Sequence, residues 1–325
     1  MIDVAMRPTR RSALGFIGAT LFLPQIVHAD NIQSIAGTAF GTTWRLVASP
    51  HDKLDRLRTD IDALFATIDQ QMSPWRTDSE ISRFNAMRAG WHAANAEMIL
   101  VTTSALELAK FSKGAFDPTV GPLVAKWGFG RIEGGPKPDW RGLSVGDGGI
   151  GKARDDLTLD LCGIAKGRAL DLAVALVRDG GISNFLFDLG GELKAIGQHP
   201  SGRSWRVALQ PALAGRPAPA TLQLADSWAV ATSGLSEQSY ELAEHTYGHI
   251  IDPMAGAPAD DRLVSVTVVE KDAMIADGWA TALFAAGLSG GPALAQDNNI
   301  SALFLTHEGA GISIIKTGMI DRSLL

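Results

Sequence analysis

Cysteine is all but missing from this sequence: Cys162 is the sole one among 325 residues. No internal disulfide can form, and a zinc or iron–sulfur centre built on several thiolates is excluded. A basic run is missing too. Lys and Arg total 29 against 35 Asp and Glu, for a net charge of −6, which argues against nucleic acid as a partner. Beyond residue 29 no stretch is apolar enough to span a bilayer. There are no internal repeats, no low-complexity tracts and no clear linker. What is present is ordinary for a globular protein. Hydrophobic residues make up 46% and charged residues 20%, which sets aside the disordered and fibrous classes. The length suits two domains of ~150 residues or one large one. The 35 glycines point to tight turns and backbone-lined sites.

Residues 1–29 read as an address rather than as fold. Arg7, Arg10 and Arg11 precede an apolar run from Leu14 to Val27, and Val27-His28-Ala29 places small residues before Asp30. This pattern predicts a secretory signal cleaved after Ala29. The Arg10-Arg11 pair suggests the twin-arginine route and a periplasmic destination. The apolar run is about 14 residues, short of the ~20 that span a bilayer. Residues 30–325 are then expected to form the working domain.

Along that domain, Leu54, Leu57, Ile61, Leu64 and Ile68 recur at helical spacing and predict a helix over 53–71, ended by Ser73-Pro74. A second helix is predicted over 96–112 with Asn95 as N-cap. Further helices are expected at 166–179, capped by Gly180-Gly181, and at 273–286, ending at Gly287. Strands are expected at 34–48, 157–161, 183–188, 204–210, 221–231 and 262–270, with a closing hairpin of 300–305 and 311–316. The glycine-rich stretch 128–152 reads as irregular loop. Strands mixed with helices in this order predict an α+β fold.

Four segments carry chemistry. In the stretch from Gly114 to Pro122, followed by Trp127-Gly128-Phe129-Gly130, Asp117 in an aromatic loop suits hydrogen bonding to a heterocycle that the rings cover, although on residues alone a structural turn capped by Asp117 is the stronger reading. In Asp160-Leu161-Cys162-Gly163-Ile164-Ala165-Lys166-Gly167, a glycine turn opens a helix whose free N–H groups favour an anion such as a diphosphate. That turn serves packing equally well, and Cys162 beside it is either a catalytic thiol or an inert one. His249 suits acid/base work, with Asp252 as its orienter or as a cap. Asp277 and Thr281 stand four apart on a helix and so face one way. A carboxylate and a hydroxyl suit a hard cation such as Mg²⁺, although an Asp near a helix start also balances the helix dipole.

Taken in order, these and neighbouring blocks resemble the ApbE-type FAD:protein FMN transferases. The blocks are Gly41-Thr42-Thr43-Trp44; Met72-Ser73-Pro74-Trp75 with Asp78-Ser79-Glu80 and Phe84-Asn85; the Phe116-Asp117 loop; Asp160 to Gly167; Gly190-Gly191-Glu192; Thr232-Ser233-Gly234; His249 to Pro253; and Ala276 to Leu283. The resemblance implies a mixed α/β enzyme with FAD in a cleft. Such an enzyme splits FAD at its diphosphate, passes FMN to a Thr or Ser hydroxyl of a partner protein and releases AMP. It implies that Asp277, Thr281 and the carbonyl oxygen of Gly163 hold Mg²⁺. Phe40, Trp75, Ala115, Phe116, Asp117, Asp160, Lys166, Thr232, Ser233 and Ile251 would line the FAD. His249 and Asp277 would be the catalytic pair, His249 as acid/base.

The sequence departs from the family pattern at several places. Phe40 stands where many members have Met, Cys162 where a small residue is usual, and Ala280 where some members are acidic. Leu235–Tyr240 differs from the usual loop. The twin-arginine-like signal is similar to that of members associated with nitrous-oxide-reductase maturation, which implies a membrane-bound electron-transfer flavoprotein as the acceptor. Two other readings stay open at this point: a periplasmic FAD carrier without transfer, and an FAD pyrophosphatase that uses water as acceptor.

Overall fold

The structure is a computed structural model that describes residues 32–325 apart from 136, 210–217, 236–238, 243–244 and 309–310. The export signal assigned to 1–29 lies outside the described residues. Eight strands form one sheet: β1 (Gln33–Ala39), β2 (Thr42–Ala48), β3 (Phe185–Leu189), β4 (Glu192–Ile196), β5 (Ala229–Gly234), β6 (Leu263–Glu270), β7 (Ala302–Glu308) and β8 (Gly311–Thr317). Their spatial order is their chain order, and every pairing is antiparallel. An all-antiparallel sheet with helices inserted between its strands is the α+β arrangement that the sequence predicts.

Strand periodicity assigns the two faces. Leu46, Ala231, Val268 and Phe304 enter the core shared with the helices. Their neighbours Val47, Val230, Val269, Leu303 and Leu305 point the other way. That second face is covered by the antiparallel pair Trp205–Ala208 and Thr221–Leu224 and by the turn at Ile320–Ser323.

The helices are α1 (Arg58–Met72), α2 (Glu80–Ala86), α3 (Ala96–Phe111), α4 (Gly121–Lys126), α5 (Ala165–Asp179), α6 (Ala273–Ala285) and α7 (Gly287–Asp297). Asn95 caps α3 as expected, its side chain accepting from Met98 N–H at 2.9 Å. Gly181, at φ 84°, ends α5, with Ile182 N–H returning to Val177 O. Helix α6 is buried on nearly every side, between the sheet and α5. Asp171 of α5 accepts from Ala273 and Met274 N–H at 3.1 and 3.0 Å and pairs with Lys194 at 2.6 Å. One partly buried carboxylate thus ties α5, the start of α6 and the sheet together.

Several expected elements differ, each for a local reason. The strand over 34–48 is a hairpin, because Phe40 (φ 52°) and Gly41 (φ 75°) take the two left-handed turn positions between Ala39 and Thr42. Residues 157–161 join no strand. Asn85 takes the place of a ladder there, its side chain bonding both Leu159 N–H and Leu159 O, while Asp160 N–H donates to Pro118 O. Residues 128–152 are not all loop. Leu143–Gly146 and Gly149–Lys152 pair in a small sheet with Gly90–Ala93. Glycine is needed there because Trp91 lies on the sheet, and a Cβ at Gly149 would come 2.7 Å from its Nε1. The stretch 221–231 splits between two sheets. Gly287 (φ 66°), the expected helix end, opens a second helix, α7, with only Ala286 between it and α6.

Candidate active site

Helix α5 begins without a side-chain cap, since Ile164 at that position has no oxygen to offer. Asp277 reaches across from α6 and supplies one: Gly167 N–H donates to Asp277 Oδ2 at 2.8 Å. The two helices can come this close because residue 167 is glycine. A Cβ there would lie 2.3 Å from Ala273 O and 2.7 Å from Met274 Cα. Asp277 stands a full turn inside α6, not at its start. The N-terminus of α6 is capped by Asp272, which accepts from Ile275 N–H, so the dipole role falls to Asp272 and Asp277 serves the neighbouring helix.

Thr281 follows one turn after Asp277 on the same face. Its Oγ1 lies 3.4 Å from Ser233 Oγ on β5. Gly163 closes the group from the turn before α5: a Cβ there would lie 3.1 Å from Thr281 Oγ1 and 3.2 Å from Phe116 Cε2. Residues from four separate segments thus meet at one place, Phe116, Gly163, Ser233 and the Asp277–Thr281 pair. Thr232 is turned to its strand partner, Oγ1 to Thr267 Oγ1 at 2.9 Å.

The surroundings are acidic. Asp160 Oδ1 accepts from Cys162 N–H at 2.9 Å, and burial raises the Asp160 carboxyl above its ordinary range. Burial also raises Asp188, against the pull of Gly191 N–H, Lys166 and Arg45. Lys166 pairs with Glu192 at 2.8 Å and sits 3.4 Å from Gly190 O. Cys162 is exposed at its surface, with neighbouring protein atoms close around the thiol. That crowding, with the charges of Asp160 and Asp277, pushes its thiol well above the ordinary value. A thiol held protonated is a poor nucleophile, so the structure favours the inert reading of Cys162.

A raised carboxyl has a consequence for stability. Asp160 binds its proton more tightly folded than unfolded, so its contribution falls as pH rises from about 4 through its folded pKa. Below that window the group is neutral in both states and carries no penalty. Asp160→Asn, which keeps an acceptor for Cys162 N–H, should match the wild-type melting temperature near pH 4 and exceed it increasingly toward pH 7. Melting curves across that range check it; an Asn variant less stable at pH 7 than at pH 4, relative to wild type, would contradict the burial argument.

The other residues singled out by sequence are each fixed by local contacts. Phe40 holds its left-handed backbone while packing edge-on to Phe65 at 5.5 Å, and strain of this kind at a bulky residue clusters at functional sites. Trp75 is half-exposed, with the Arg131 guanidinium 5.6 Å from its ring centre. Ala115 sits in the turn after α3, its N–H bonded to Ser112 O. Asp117 has both oxygens engaged, by Thr119 N–H and Oγ1 and by Trp140 N–H, and burial raises its carboxyl. That is the turn role weighed for it above. Ile251 pairs with Pro258. Asp252 accepts from Met254 and Ala255 N–H, which makes it the cap of its own turn. His249 stands edge-on to Phe129, ring centres 6.4 Å apart.

Sequence reasoning assigned no role to Asp188, Glu192, Tyr240 or Tyr247, and it read Phe129 as a ring covering a heterocycle rather than as a neighbour of His249. Glu192 lay inside a quoted motif, and a buried acid after two glycines was the available signal. Asp188 and the two tyrosines gave none, because their partners are distant in sequence.

A divalent cation fits the donor set. Among the described residues no group of three or more His, Cys, Asp or Glu side chains could hold a metal. The Gly163 carbonyl, Asp277 carboxylate and Thr281 hydroxyl are all oxygen with one formal charge. Such a set suits Mg²⁺ sharing its shell with phosphate and water, and disfavours zinc. The Gly163 position has room only without a Cβ. The local charge agrees: Glu192 pairs with Lys166 and Asp188 lies within its field, while Asp160 and Asp277 flank Cys162, and a cation eases the entry of a diphosphate into such a field.

Comparison with known proteins gives one answer. The ApbE family model matches residues 40–304. The FAD:protein FMN transferase of Vibrio cholerae is 34% identical over 295 residues, covering 85% of this chain and 88% of that protein. The enzyme of the same name from Escherichia coli K12 is 31% identical, over 92% of this chain and 91% of its own length. Among solved structures, the apo flavinyl transferase ApbE of Pseudomonas stutzeri superposes with a TM-score of 0.80 at 31% identity, covering 90% of this chain and 96% of that one. The flavin transferase ApbE of Vibrio cholerae also gives 0.80, at 32% identity.

Proposed function

The chain belongs to the ApbE family, and on that premise we propose how its own residues carry out the transfer of FMN from FAD to a protein. The acceptor group is a Thr or Ser hydroxyl of a partner. Its oxygen forms a new bond to the FMN phosphorus as the bond to the bridging oxygen of the diphosphate breaks, and AMP leaves. The hydroxyl proton passes to His249. Asp277, Thr281 and the Gly163 carbonyl hold Mg²⁺, which when bound supplies charge neutralisation of the diphosphate. Lys166, set by Glu192, adds a fixed positive charge beside the helix start of α5. Phe40, Trp75 and Phe116 offer apolar surface to the ring systems. Ala115, Asp117, Asp160, Thr232, Ser233 and Ile251 shape the cleft around them.

The observation that carries this reading is the meeting of Gly163, Asp277 and Thr281, an all-oxygen donor set in an acidic setting where a bound cation would favour a diphosphate. If the cleft recognises the adenylate half as well as the flavin, FAD binds more tightly than FMN in the presence of Mg²⁺. Titration calorimetry should show a difference of at least about 10-fold, or 1.4 kcal/mol. Equal affinities would remove the diphosphate from the site and with it the proposed chemistry.

We place the mature protein in the periplasm, exported by the twin-arginine route and cleaved after Ala29, with a membrane-bound electron-transfer flavoprotein as acceptor. Arg10, Arg11 and Val27-His28-Ala29 support this. Among the described residues no helix is long and apolar enough to cross a membrane. Replacing Arg10 and Arg11 by Lys should leave precursor in the cytoplasm; normal export of that variant would assign the signal to the general secretory route.

A further inference from the structure

An aromatic bracket surrounds His249. Helix α4 ends in a left-handed glycine: Gly128 has φ 88°, its N–H returns to Ala125 O at 3.0 Å, and Phe129 N–H returns to Val124 O at 3.0 Å. This turn displays Trp127 and Phe129 on either side of a single glycine. Facing them is the hairpin of Ser239–Leu242 and His245–Gly248, which pairs only with itself among the described residues. A two-stranded hairpin is marginal alone, so its placement depends on what it stacks against. Tyr240 and Tyr247, the two tyrosines of the chain, are direct cross-strand partners, with ring centres 5.4 Å apart and planes 25° apart.

The loop grips this pair at both ends. Trp127 stacks on Tyr247 at 5.7 Å and 18°, and Phe129 stacks on Tyr240 at 5.3 Å and 18°. Phe129 then presents an edge contact to His249, which directly follows the hairpin. Trp127 also fastens the chain beyond His249, since its Nε1–H donates to Gly256 O at 3.0 Å. His249 is therefore held upstream through the tyrosines, downstream through Gly256 and on its own ring by Phe129, all from one three-residue segment.

We propose that Phe129 is a positioning residue for His249, with Tyr240 holding Phe129 in place, so that the aromatic bracket sets the orientation of the imidazole toward the reacting phosphate. This rests on the reading of His249 as the acid/base. Proton transfer requires a ring held within hydrogen-bond reach of its target, and small displacements of a catalytic group cost rate steeply. Phe129, the ring that meets the imidazole, has no polar atom, so it orients His249 without itself adding a competing donor or acceptor.

The test compares Phe129→Leu, Phe129→Tyr, Tyr240→Leu, His249→Gln and the double variant Phe129→Leu/His249→Gln in the full enzyme. Single-turnover FMN transfer and FAD affinity are measured for each. Phe129→Leu is expected to slow transfer by about 10-fold with FAD affinity within about 2-fold, Phe129→Tyr to restore it, and Tyr240→Leu to move it in the same direction. If Phe129 acts through His249, adding Phe129→Leu to His249→Gln costs nothing further. Carbon-13 histidine NMR supplies a readout besides activity. The resonance missing in His249→Gln belongs to His249, and it should shift in Phe129→Leu as the ring-current environment is lost. A wild-type rate in Phe129→Leu, or an equal further loss in the double variant, would overturn the positioning role while leaving His249 its part. A wild-type rate in His249→Gln would instead remove the acid/base reading, and the positioning role with it. Should Phe129→Leu fail to fold, the Tyr240→Leu rate and histidine spectrum decide the same question.

Discussion

Asp277→Asn should give a folded protein that still binds FAD yet transfers FMN at least about 10²-fold more slowly, a loss of roughly 3 kcal/mol or more of transition-state stabilisation. The choice of Asn follows from the geometry. Asp277 has two duties: it caps α5 through Gly167 N–H, and it carries the only formal charge among the three residues assigned to Mg²⁺. Asn keeps an oxygen for the cap and removes the charge, so the two duties separate. Asp277→Ala removes both, and should add a stability loss of about 1–2 kcal/mol for an uncapped, buried helix start. EDTA added to wild type should reproduce the Asn phenotype, and excess Mg²⁺ should reverse it. Turnover by Asp277→Asn at the wild-type rate, or wild-type activity that survives EDTA, would remove the metal from the mechanism.

The largest structural effect is expected at Gly167. An alanine methyl there meets backbone, Ala273 O at 2.3 Å and Met274 Cα at 2.7 Å. Backbone cannot rotate aside as a flexible side chain can, so α6 must move away from α5. That movement also opens the Asp277 cap and disturbs the Asp171 contacts to Ala273 and Met274 N–H. Overpacking at such a contact costs about 3 kcal/mol, which lowers the melting temperature by roughly 5 °C in a chain of this length. Because Asp277 and Thr281 ride on α6, activity should fall with stability. Gly163→Ala is the informative contrast. Its methyl meets side-chain atoms of Thr281 and Phe116 rather than backbone, and side chains yield more readily than a helix backbone, so stability should fall less while activity still drops. A Gly167→Ala protein as stable as wild type would mean that the helices are not packed as described.

Much of this site could be read from the sequence because its key relations are local. Asp277 and Thr281 lie four apart on a long apolar segment, and helical geometry alone puts them on one face. Gly163 and Lys166 sit at a turn into α5 that the pattern of Leu170, Ala173, Val174 and Val177 announces. What escaped depends on distant partners. That Asp277 caps α5 across 110 residues, or that Lys166 is neutralised by Glu192, cannot be seen in any window of the chain. The extended stretch 157–161 alternates like a strand, yet Asn85 satisfies its backbone. The glycines of 143–152 read as loop because nothing nearby in sequence shows that Trp91 must lie on them. The aromatic bracket draws on residues 127, 129, 240 and 247, and only the fold brings those rings together.

The central claim is that a partner protein, and not water, receives the FMN. The measurement is to incubate the mature chain with FAD, Mg²⁺ and a candidate electron-transfer flavoprotein domain, then read flavin fluorescence in a denaturing gel alongside AMP release. The expected result is a fluorescent acceptor band whose intact mass has risen by one FMN phosphoester, with AMP formed in equal amount and neither seen with Asp277→Asn. AMP and free FMN accumulating at the same rate with or without any acceptor, while every acceptor Thr and Ser stays unlabelled, would contradict it and make the chain a hydrolase of FAD.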